Sequence, residues 1–391
     1  LREVDVDFPL GCLVVVSGVS GSGKSTLVED VLVASLNAGK PTGCRSIAGP
    51  LLRATLVDQS PIGINPRSNA ATYTGLADVI RDLFSSQTGL SPSHFSFNRP
   101  EGACPTCAGM GAVEVKMRYL PSTWIPCSDC AGQRFSEEVL EKSAVFGGRS
   151  LSIAEFYRLA IEEALPLLLD SPALPRAKRA TAEHVLHALV DVGLGYLPLG
   201  QPSPTLSGGE AQRVKLTKYL GHRSLSGELL VLDEPSTGLH PQDVSGLLIV
   251  LDRLVRTGAT VLIVEHNLEF IRAADWVIDL GPGAGPQGGR VIYAGPPHGL
   301  AAAPESLTGQ ALREEERIQP RESPAPGNVS RETFIRIRGA CANNLKNVSV
   351  DIPKAALTVV TGVSGSGKSS LVSDILEAEA RRRFLESLSM Y

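Results

Sequence analysis

The stretch Gly18-Val19-Ser20-Gly21-Ser22-Gly23-Lys24-Ser25 follows the apolar run Leu13–Val16 and fits the pattern G-x-x-x-x-G-K-[ST]. The glycines of such a loop let backbone N–H groups close around phosphate oxygens. The next helix adds its positive N-terminal end, and the lysine neutralises the outer phosphates. The sequence therefore predicts an α/β fold around a nucleotide site, with a glycine-rich turn that binds nothing as the alternative for a single match. The predicted nucleotide ligands are Gly18, Gly21, Ser22, Gly23, Lys24, Ser25 and Thr26, and the Ser25 hydroxyl is also a predicted magnesium ligand.

The chain contains this loop twice. Leu1–Leu32 align with Leu345–Leu376 at a constant offset of 344, and 20 of the 32 positions are identical. Each copy has the pattern of an alternating strand, a turn at a proline, a second strand, the loop and a helix. The second strands are predicted at Leu13–Val16 and Leu357–Val360. A structural duplication would also give a repeat, but two loops in the same context weaken the alternative without a ligand. The predicted nucleotide ligands of the second loop are Gly362, Gly365, Ser366, Gly367, Lys368, Ser369 and Ser370.

Two carboxylates end the apolar strand Leu229–Leu232. Asp233 can hold Mg²⁺, directly or through water, and it counts among the residues of the nucleotide site. Glu234 can orient and deprotonate the attacking water, because phosphoryl transfer requires mostly positioning and neutralisation of charge. The alternative is an ordinary strand end with solvated acids, which the neighbouring motifs make less attractive.

Three further motifs fit the same chemistry. Leu206–Gln212 reads Leu-Ser-Gly-Gly-Glu-Ala-Gln, and its Ser-Gly-Gly opens a helix whose N–H groups can bind a γ-phosphate. His266 comes shortly after the apolar strand Thr260–Val264, a position suited to contacting that phosphate. Gln59 comes after the apolar stretch Ala54–Val57, where it can sense Mg²⁺ and the attacking water. We therefore predict Glu234, His266 and Gln59 as catalytic residues, and Ser207, Gly208 and Gly209 as nucleotide ligands.

Four of the seven cysteines form two close pairs. Cys104-Pro105-Thr106-Cys107 and Cys127-Ser128-Asp129-Cys130 are separated by 19 residues. Each C-x-x-C knuckle supplies two thiolates to a tetrahedral ion, so the spacing predicts a structural Zn²⁺ on Cys104, Cys107, Cys127 and Cys130. Four thiolates leave no open position, so no catalysis is assigned to the metal. Redox disulfides are the alternative, although the odd total of cysteines suits a reducing compartment.

The composition favours a globular protein. Hydrophobic residues make up 43% and charged residues 20%, and the longest apolar runs have the length of strands. The chain begins without Met and without a signal pattern, inside what resembles a strand. We therefore expect a fragment, or a chain numbered from an internal point, with a cytoplasmic location and no membrane partner. The net charge of −4 indicates no global affinity for nucleic acid, but a local patch suffices. Between the knuckles, the alternation of residues predicts a strand with Lys116 and Arg118 on its charged face. These two side chains either bind DNA phosphates or form a solvated face.

The order of these motifs resembles an ABC-type ATPase, and further segments narrow the resemblance to the UvrA family of bacterial nucleotide excision repair. The segments are Asp58–Gly63, Pro66–Asn69, Thr72–Gly75, Phe95–Asn98, Val192–Tyr196, Gly200–Pro202 and Glu265–Leu268. The resemblance covers nearly all of Leu1–Gly299, and Ile335–Tyr391 is similar to the opening of the family's first cassette. The order departs from the family, because here the second type of cassette comes first. A permutation, a fusion and a segment of a longer array are all compatible with that order.

The resemblance implies an ATPase that uses ATP, Mg²⁺ and Zn²⁺, recognises damaged double-stranded DNA and does not itself cut DNA. It also implies a homodimer and a UvrB-like partner, although the docking domain for that partner is not seen in this sequence. One alternative is a UvrA-like self-resistance protein that binds DNA modified by a secondary metabolite. A transporter ATPase is a second alternative, against which the zinc insertion argues.

The sequence predicts an α/β ABC-ATPase P-loop cassette with an inserted helical signature domain and a zinc-binding module, followed by the start of a second cassette. A helix is predicted at Pro175–Val192. The chain has two P-loops, the glycine-rich loops Gly18–Ser25 and Gly362–Ser369, but one signature, Leu206–Gln212, and one carboxylate pair. ABC dimers sandwich each nucleotide between two cassettes, so we expect ATP binding with slow hydrolysis. The predicted parts are 1–58 (first part of the ATP-binding core), 59–205 (insertion, with the zinc module at 95–135), 206–300 (second part of the core), 301–332 (linker) and 333–391 (start of the second cassette).

Overall fold

The computed structural model describes residues 1–50, 52–63, 65–115, 123–222, 224–315, 334–363 and 365–388. These residues divide into two compact units. The first unit holds the described residues up to Glu315, apart from 238–243. The second unit holds 238–243 and the described residues from 334 onward.

A six-stranded sheet forms the centre of the first unit. The strands of the described chain are β1 Leu13–Gly18, β2 Arg53–Val57, β3 Ala112–Val115, β4 Thr123–Pro126, β5 Ser143–Phe146, β6 Arg149–Ser152, β7 Glu228–Asp233, β8 Thr260–Val264, β9 Trp276–Gly281, β10 Arg290–Gly295, β11 Phe334–Ala340 and β12 Val348–Pro353. The sheet order is β10-β9-β1-β8-β7-β2, with β10 antiparallel to β9 and the other neighbours parallel. The pairs β3–β4, β5–β6 and β11–β12 form separate antiparallel hairpins.

The central strands are continuous apolar runs in the sequence, because both faces of the sheet are buried there. Every residue of β1 and of β8 is buried. Such runs are typical of parallel strands that lie between two layers of helices. The carboxyl ends of parallel strands share one edge of a sheet, and the P-loop follows β1 there. At the same edge β7 ends at Asp233, β8 precedes Glu265 and β2 precedes Asp58.

The helices pack around the central sheet or build the insertion. They are α1 Ala34–Ala38, α2 Ala70–Tyr73, α3 Leu76–Thr88, α4 Glu137–Leu140, α5 Ile153–Arg158, α6 Ile161–Leu169, α7 Arg176–Asp191, α8 Gly208–Leu216, α9 Pro241–Arg256, α10 Leu268–Ala273, α11 Pro297–Leu300, α12 Leu307–Glu315 and α13 Ala378–Leu388. Two π-helical stretches, Thr26–Val33 and Ser370–Glu377, follow the P-loops. The insertion has its own core, in which the Phe84 ring lies 5.4–5.9 Å from the rings of Phe95, Phe146 and Phe156.

Several elements form where the sequence predicts them. The helix predicted at Pro175–Val192 is α7, with Pro175 as its N-cap and Val192 as its C-cap. Strand β8 has the predicted bounds Thr260–Val264. The mixed α/β class of the prediction is confirmed.

Half of the strand predictions for the repeat are wrong. Leu357–Val360 is not a strand, and Leu357 is 94% exposed. In the first copy the alternating segment before Pro9 is not a strand either, although Val4 and Val6 pack against the core. Each copy therefore forms one of its two predicted strands, β1 in the first and β12 in the second. A strand needs a partner that completes its hydrogen bonds, and the alternation of apolar residues alone does not supply one.

Part of the range assigned to a linker is helical. Residues 307–315 of that range form α12, and Ser306 and Thr308 donate hydrogen bonds to Asp279 in β9. Among the described residues, no helix is both long and apolar enough to span a bilayer.

Candidate ATP site and zinc module

The first P-loop has a backbone path that only glycine allows at its entrance. Gly18 has φ +133°, and a Cβ there would lie 2.1 Å from the carbonyl oxygen of Leu280. Gly23 has φ +102°, also in the region that favours glycine. The Lys24 side chain folds back over the loop, and its Nζ donates to the carbonyl oxygens of Gly18 at 2.9 Å and Val19 at 3.0 Å. The ammonium group therefore lies directly above the loop that would hold phosphate.

Two side chains of this loop fit an anionic ligand. The Ser22 hydroxyl is buried and has no hydrogen-bond partner among the described residues. Burial lowers the pKa of Lys24, whereas the carboxylates of Glu234 and Asp233 raise it. An unsatisfied buried hydroxyl and a partly desolvated ammonium both gain from a bound phosphate.

Asp233, a predicted magnesium ligand, and Glu234, a predicted catalytic residue, lie beside this loop at the end of β7. Burial raises the pKa of Asp233, and the charge of Glu234 adds to that rise. A carboxylate whose pKa is raised in this way is stabilised as an anion by a nearby cation. Glu234 has φ +42°, and its N–H donates to the carbonyl oxygen of Val264 at 2.9 Å. His266 Nδ1 lies 3.9 Å from Glu234 Oε1, so the structure brings these two predicted residues together.

Glu265 is a residue of this site that sequence reasoning missed. Its side chain is fully buried, and its carboxylate accepts hydrogen bonds from the backbone N–H groups of Ser236 at 3.0 Å, Asn267 at 2.8 Å and His266. It thereby ties the loop after β7 to the loop after β8 and fixes the backbone that carries His266. The available signal was an acidic residue directly after the apolar strand Thr260–Val264, the same pattern that singled out Asp233 and Glu234.

Gln59 and the signature helix α8 both reach the end of β7. Gln59 Nε2 donates to the backbone oxygens of Asp233 at 3.2 Å and Glu234 at 3.0 Å. Gln212 of α8 is buried, and its Nε2 donates to the oxygens of Val57 at 2.6 Å and Asp233 at 3.1 Å. The signature helix is therefore hydrogen-bonded to the end of the strand that carries Asp233.

The predicted ligands of the signature lie at the start of α8, where Ser207 is exposed and Gly209 is buried. The Ser207 hydroxyl accepts from the N–H of Glu210 at 3.3 Å, and the Glu210 carboxylate accepts from the N–H of Ser207 at 2.8 Å. A Cβ on Gly208 would lie 2.7 Å from Gln59 Oε1, and one on Gly209 would lie 3.0 Å from the oxygen of Thr237. Within the described chain, the hydrogen bonds of Ser207 stay in α8 and none reaches Lys24.

The second P-loop repeats the geometry of the first. Lys368 Nζ donates to the carbonyl oxygens of Gly362 at 2.7 Å and Val363 at 2.8 Å. Ser369 is the N-cap of the π-helical stretch Ser370–Glu377, as Ser25 is in the first copy. Gly365, Ser366 and Gly367 form the turn between them. In the described part of the second unit, no strand ends in an acidic pair like that of β7.

The four predicted zinc ligands converge. Cys104, Cys107, Cys127 and Cys130 are buried, and their Sγ atoms all lie within 4.8 Å of one another. The Sγ atoms of Cys104 and Cys127 are 4.0 Å apart, and those of Cys107 and Cys130 are 3.7 Å apart. A tetrahedral ion with Zn–S bonds of about 2.3 Å requires S–S distances of roughly 3.8 Å. The donor set therefore fits Zn²⁺.

Backbone groups around the cysteines favour bound thiolates. Cys107 Sγ accepts from the N–H of Gly111 at 3.2 Å, and Cys130 Sγ accepts from the N–H of Arg134 at 3.4 Å. Burial raises the pKa of Cys130 to about 12, so a thiolate at this position needs a cation. The Arg134 guanidinium stacks over the Phe97 ring at 5.3 Å. The candidate DNA ligands Lys116 and Arg118 lie outside the described residues.

Comparison with known proteins gives many curated relatives. A scan against models of protein families finds no match. "UvrABC system protein A" of Mycobacterium leprae is 47% identical over 328 residues, which cover 80% of this chain and 32% of that protein. The protein of the same name from Thermus thermophilus is 46% identical over 315 residues, which cover 77% of this chain and 32% of the relative.

A solved structure has the same fold. The crystal structure of UvrA2 from Deinococcus radiodurans matches with a TM-score of 0.71 and 45% identity, over 80% of this chain and 38% of that one. The chain spans about a third of the length of the curated relatives it matches. With this identity over most of its residues and a matching fold, the chain belongs to the UvrA family.

Proposed function

We propose that this chain is the ATP-hydrolysing, DNA-binding part of a UvrA-like protein that recognises damaged DNA in nucleotide excision repair. The observation that carries the proposal is the convergence of the P-loop, the acidic pair and His266 at one edge of the sheet in a member of this family. Damaged double-stranded DNA, a UvrB-like partner and a homodimer are the interactions that we propose for the whole protein.

Each residue of the ATP site has a distinct proposed role. Lys24 and the backbone N–H groups of the loop bind the outer phosphates of ATP. Ser25 and Asp233 would hold Mg²⁺, which neutralises phosphate charge as it builds up. Glu234 orients a water molecule whose oxygen attacks the γ-phosphorus. The bond from this phosphorus to the bridging oxygen of ADP breaks, and the Glu234 carboxylate accepts the proton of the water.

Three neighbours support this step. His266 is proposed to contact the γ-phosphate, and its 3.9 Å separation from Glu234 allows both side chains to face the same phosphorus. Gln59 is proposed to report occupancy of the site, because it already binds the backbone of both acidic residues. Through Gln212 the same strand end is bonded to the signature helix. Nucleotide binding can thus be transmitted to the signature helix.

The zinc module is proposed to be structural and to present DNA-binding residues. Four buried thiolates close the coordination sphere of a Zn²⁺ ion, which leaves no open position for substrate. Lys116 and Arg118, between the knuckles, are proposed to contact DNA phosphates. Such contacts position the protein on the duplex without reading its sequence.

Fluorescence anisotropy with two matched duplexes tests this function. One duplex carries a single bulky adduct, and the other has the same sequence without it. The proposal expects tighter binding of the damaged duplex and an ATPase rate that rises when that duplex is added. Equal affinity for the two duplexes together with an ATPase rate that DNA does not change would overturn it.

A further inference from the structure

The segment 279–289, which we name the brace, lies directly behind the first P-loop. It begins in β9, where the pairing register sets Asp279 beside Ser17 and Leu280 beside Gly18. It continues through a glycine-rich turn to Gly289. The brace contains none of the residues to which we assign ATP chemistry, yet the entrance of the P-loop is built against it.

Asp279 carries a buried carboxylate that three hydroxyl groups satisfy. Its side chain is 1% exposed. Ser17 Oγ donates to Oδ1 at 2.6 Å, Ser306 Oγ donates to Oδ2 at 2.6 Å, and Thr308 Oγ1 donates to Oδ1 at 2.9 Å. A buried carboxylate is costly unless hydrogen bonds compensate it. The carboxylate therefore holds together three distant segments, namely the residue before the P-loop, β9 and the start of α12.

The glycines of the brace bind the outer side of the P-loop. The N–H of Gly285 donates to the carbonyl oxygen of Gly21 at 3.0 Å, and the N–H of Gly289 donates to that of Ser22 at 3.0 Å. In a trans peptide the carbonyl oxygen and the next N–H point to opposite sides. When the brace holds the oxygen of Ser22, the N–H of Gly23 must point away from the brace. That is the orientation a phosphate-binding N–H requires.

The brace and the P-loop are in close van der Waals contact. A Cβ on Gly288 would lie 2.4 Å from the oxygen of Gly283 and 3.1 Å from the Cα of Ser22. A Cβ on Gly21 would lie 3.4 Å from the Cβ of Ala284. A displacement of the brace must therefore displace the P-loop as well.

We propose that the brace positions the first P-loop for nucleotide, with Asp279 as its central positioning residue, and that the same carboxylate couples α12 to nucleotide binding. This inference rests on the proposed ATP site. Because Ser306 and Thr308 share the carboxylate with Ser17, ordering the P-loop on a nucleotide also orders the start of α12.

Nucleotide affinity in a chain with one working P-loop tests the proposal. In the full chain carrying Lys368→Ala, the dissociation constant of a fluorescent ATP analogue with Mg²⁺ is measured for Asp279→Ala, Ser17→Ala and the double variant Ser306→Ala/Thr308→Val. The milder variants are informative even if Asp279→Ala does not fold. Asp279→Asn is the conservative variant, since an amide can still accept from Ser17 and donate to Ser306. Ser150→Ala is the matched control, because it removes one exposed hydroxyl–hydroxyl bond in the hairpin β5–β6.

The proposal expects Asp279→Ala and Ser17→Ala to weaken nucleotide binding about tenfold or more, and the double variant to weaken it several-fold. Asp279→Asn should stay within about threefold of the parent, as should Ser150→Ala. Hydrogen exchange gives a readout that a merely structural role would not move. Nucleotide should slow exchange in 307–315 of the parent and should have little effect there in the double variant.

Two results would overturn the inference in distinguishable ways. If the parent binds the nucleotide and folded Ser17→Ala and Ser306→Ala/Thr308→Val bind it equally well, the brace does not position the loop, while the proposed ATP site stands. If the parent chain fails to bind nucleotide at all, the proposed ATP site is wrong and the inference falls with it.

Discussion

The two copies of the repeat have nearly the same sequence around the P-loop but differ in their surroundings. In the first copy, Val15 lies in β1 between β8 and β9 and is fully buried. Its counterpart Val359 is 71% exposed and belongs to no strand. The apolar run is therefore not enough to make a strand. β1 forms because Thr260–Val264 and Trp276–Gly281 lie on either side of it.

The backbone path of the loop is nearly the same in the two copies. Gly18, Gly21 and Gly23 have φ of +133°, +77° and +102°, and their counterparts have +147°, +73° and +93°. Both lysines bond to the same two carbonyl oxygens of their own loops. The loop and the following π-helical turn thus form from local sequence, and in the first copy the brace adds hydrogen bonds that hold the loop in place. The sheet, the carboxylates and the brace come from distant parts of the chain.

Removing zinc should give the largest difference in folding stability between the two copies, because the predicted ion lies in the insertion of the first copy. Binding contributes on the order of 10 kcal/mol to the folding of such a module. Elemental analysis should find one zinc ion per chain under reducing conditions. Cys104→Ser should lose it, whereas Cys341→Ser, at an exposed cysteine of the second unit, should keep it. A protein without metal in its unmodified form would contradict the prediction.

Glu234→Gln should block ATP hydrolysis and preserve binding. The amide keeps the size of the side chain but cannot accept a proton, which typically costs a factor of about 10²–10⁴ in rate. Single-turnover hydrolysis and nucleotide affinity would be measured side by side. Glu183→Gln, at an exposed position of α7, is the control. Normal turnover by Glu234→Gln would remove this residue from the role of general base.

Valine-to-alanine substitutions at equivalent positions measure the structural contrast directly. Val15→Ala should lower the free energy of unfolding by about 2 kcal/mol, because it opens a cavity in a buried strand. Val359→Ala should change it by less than about 0.5 kcal/mol in this chain, because the side chain is already in water. Chemical denaturation followed by circular dichroism would report both values. Similar losses for both variants would mean that the second copy packs as the first does.

These contrasts separate what the sequence could predict from what it could not. The P-loops, the zinc ligands and the strand before Asp233 are encoded in short motifs, and all were located from sequence. Whether Leu357–Val360 forms a strand depends on partners far away in the chain, which periodicity does not reveal. The role of Asp279 was hidden for the same reason. Its three hydroxyl donors come from residues 17, 306 and 308 and converge only in the fold.

The smallest expected effect concerns DNA and the insertion of the first copy. Removing Lys116 or Arg118 should reduce the slope of log affinity against log salt concentration by about 1 per residue. A variant that contacts one phosphate fewer releases fewer counterions from the DNA when it binds. Sequence preference should not change. Arg382→Ala, on the exposed helix α13, is the control in the second copy. If the slope of the double variant Lys116→Ala/Arg118→Ala equals that of the parent, the two residues form only a solvated face.

The most direct test of the difference between the copies is steady-state ATP hydrolysis by Lys24→Ala and Lys368→Ala. Only the first P-loop lies beside Asp233, Glu234 and His266 in its own unit. Whatever the absolute rate of the parent, we predict that Lys24→Ala removes nearly all hydrolysis, whereas Lys368→Ala retains a substantial part of it. Equal loss in the two variants, or a greater loss in Lys368→Ala, would contradict the account.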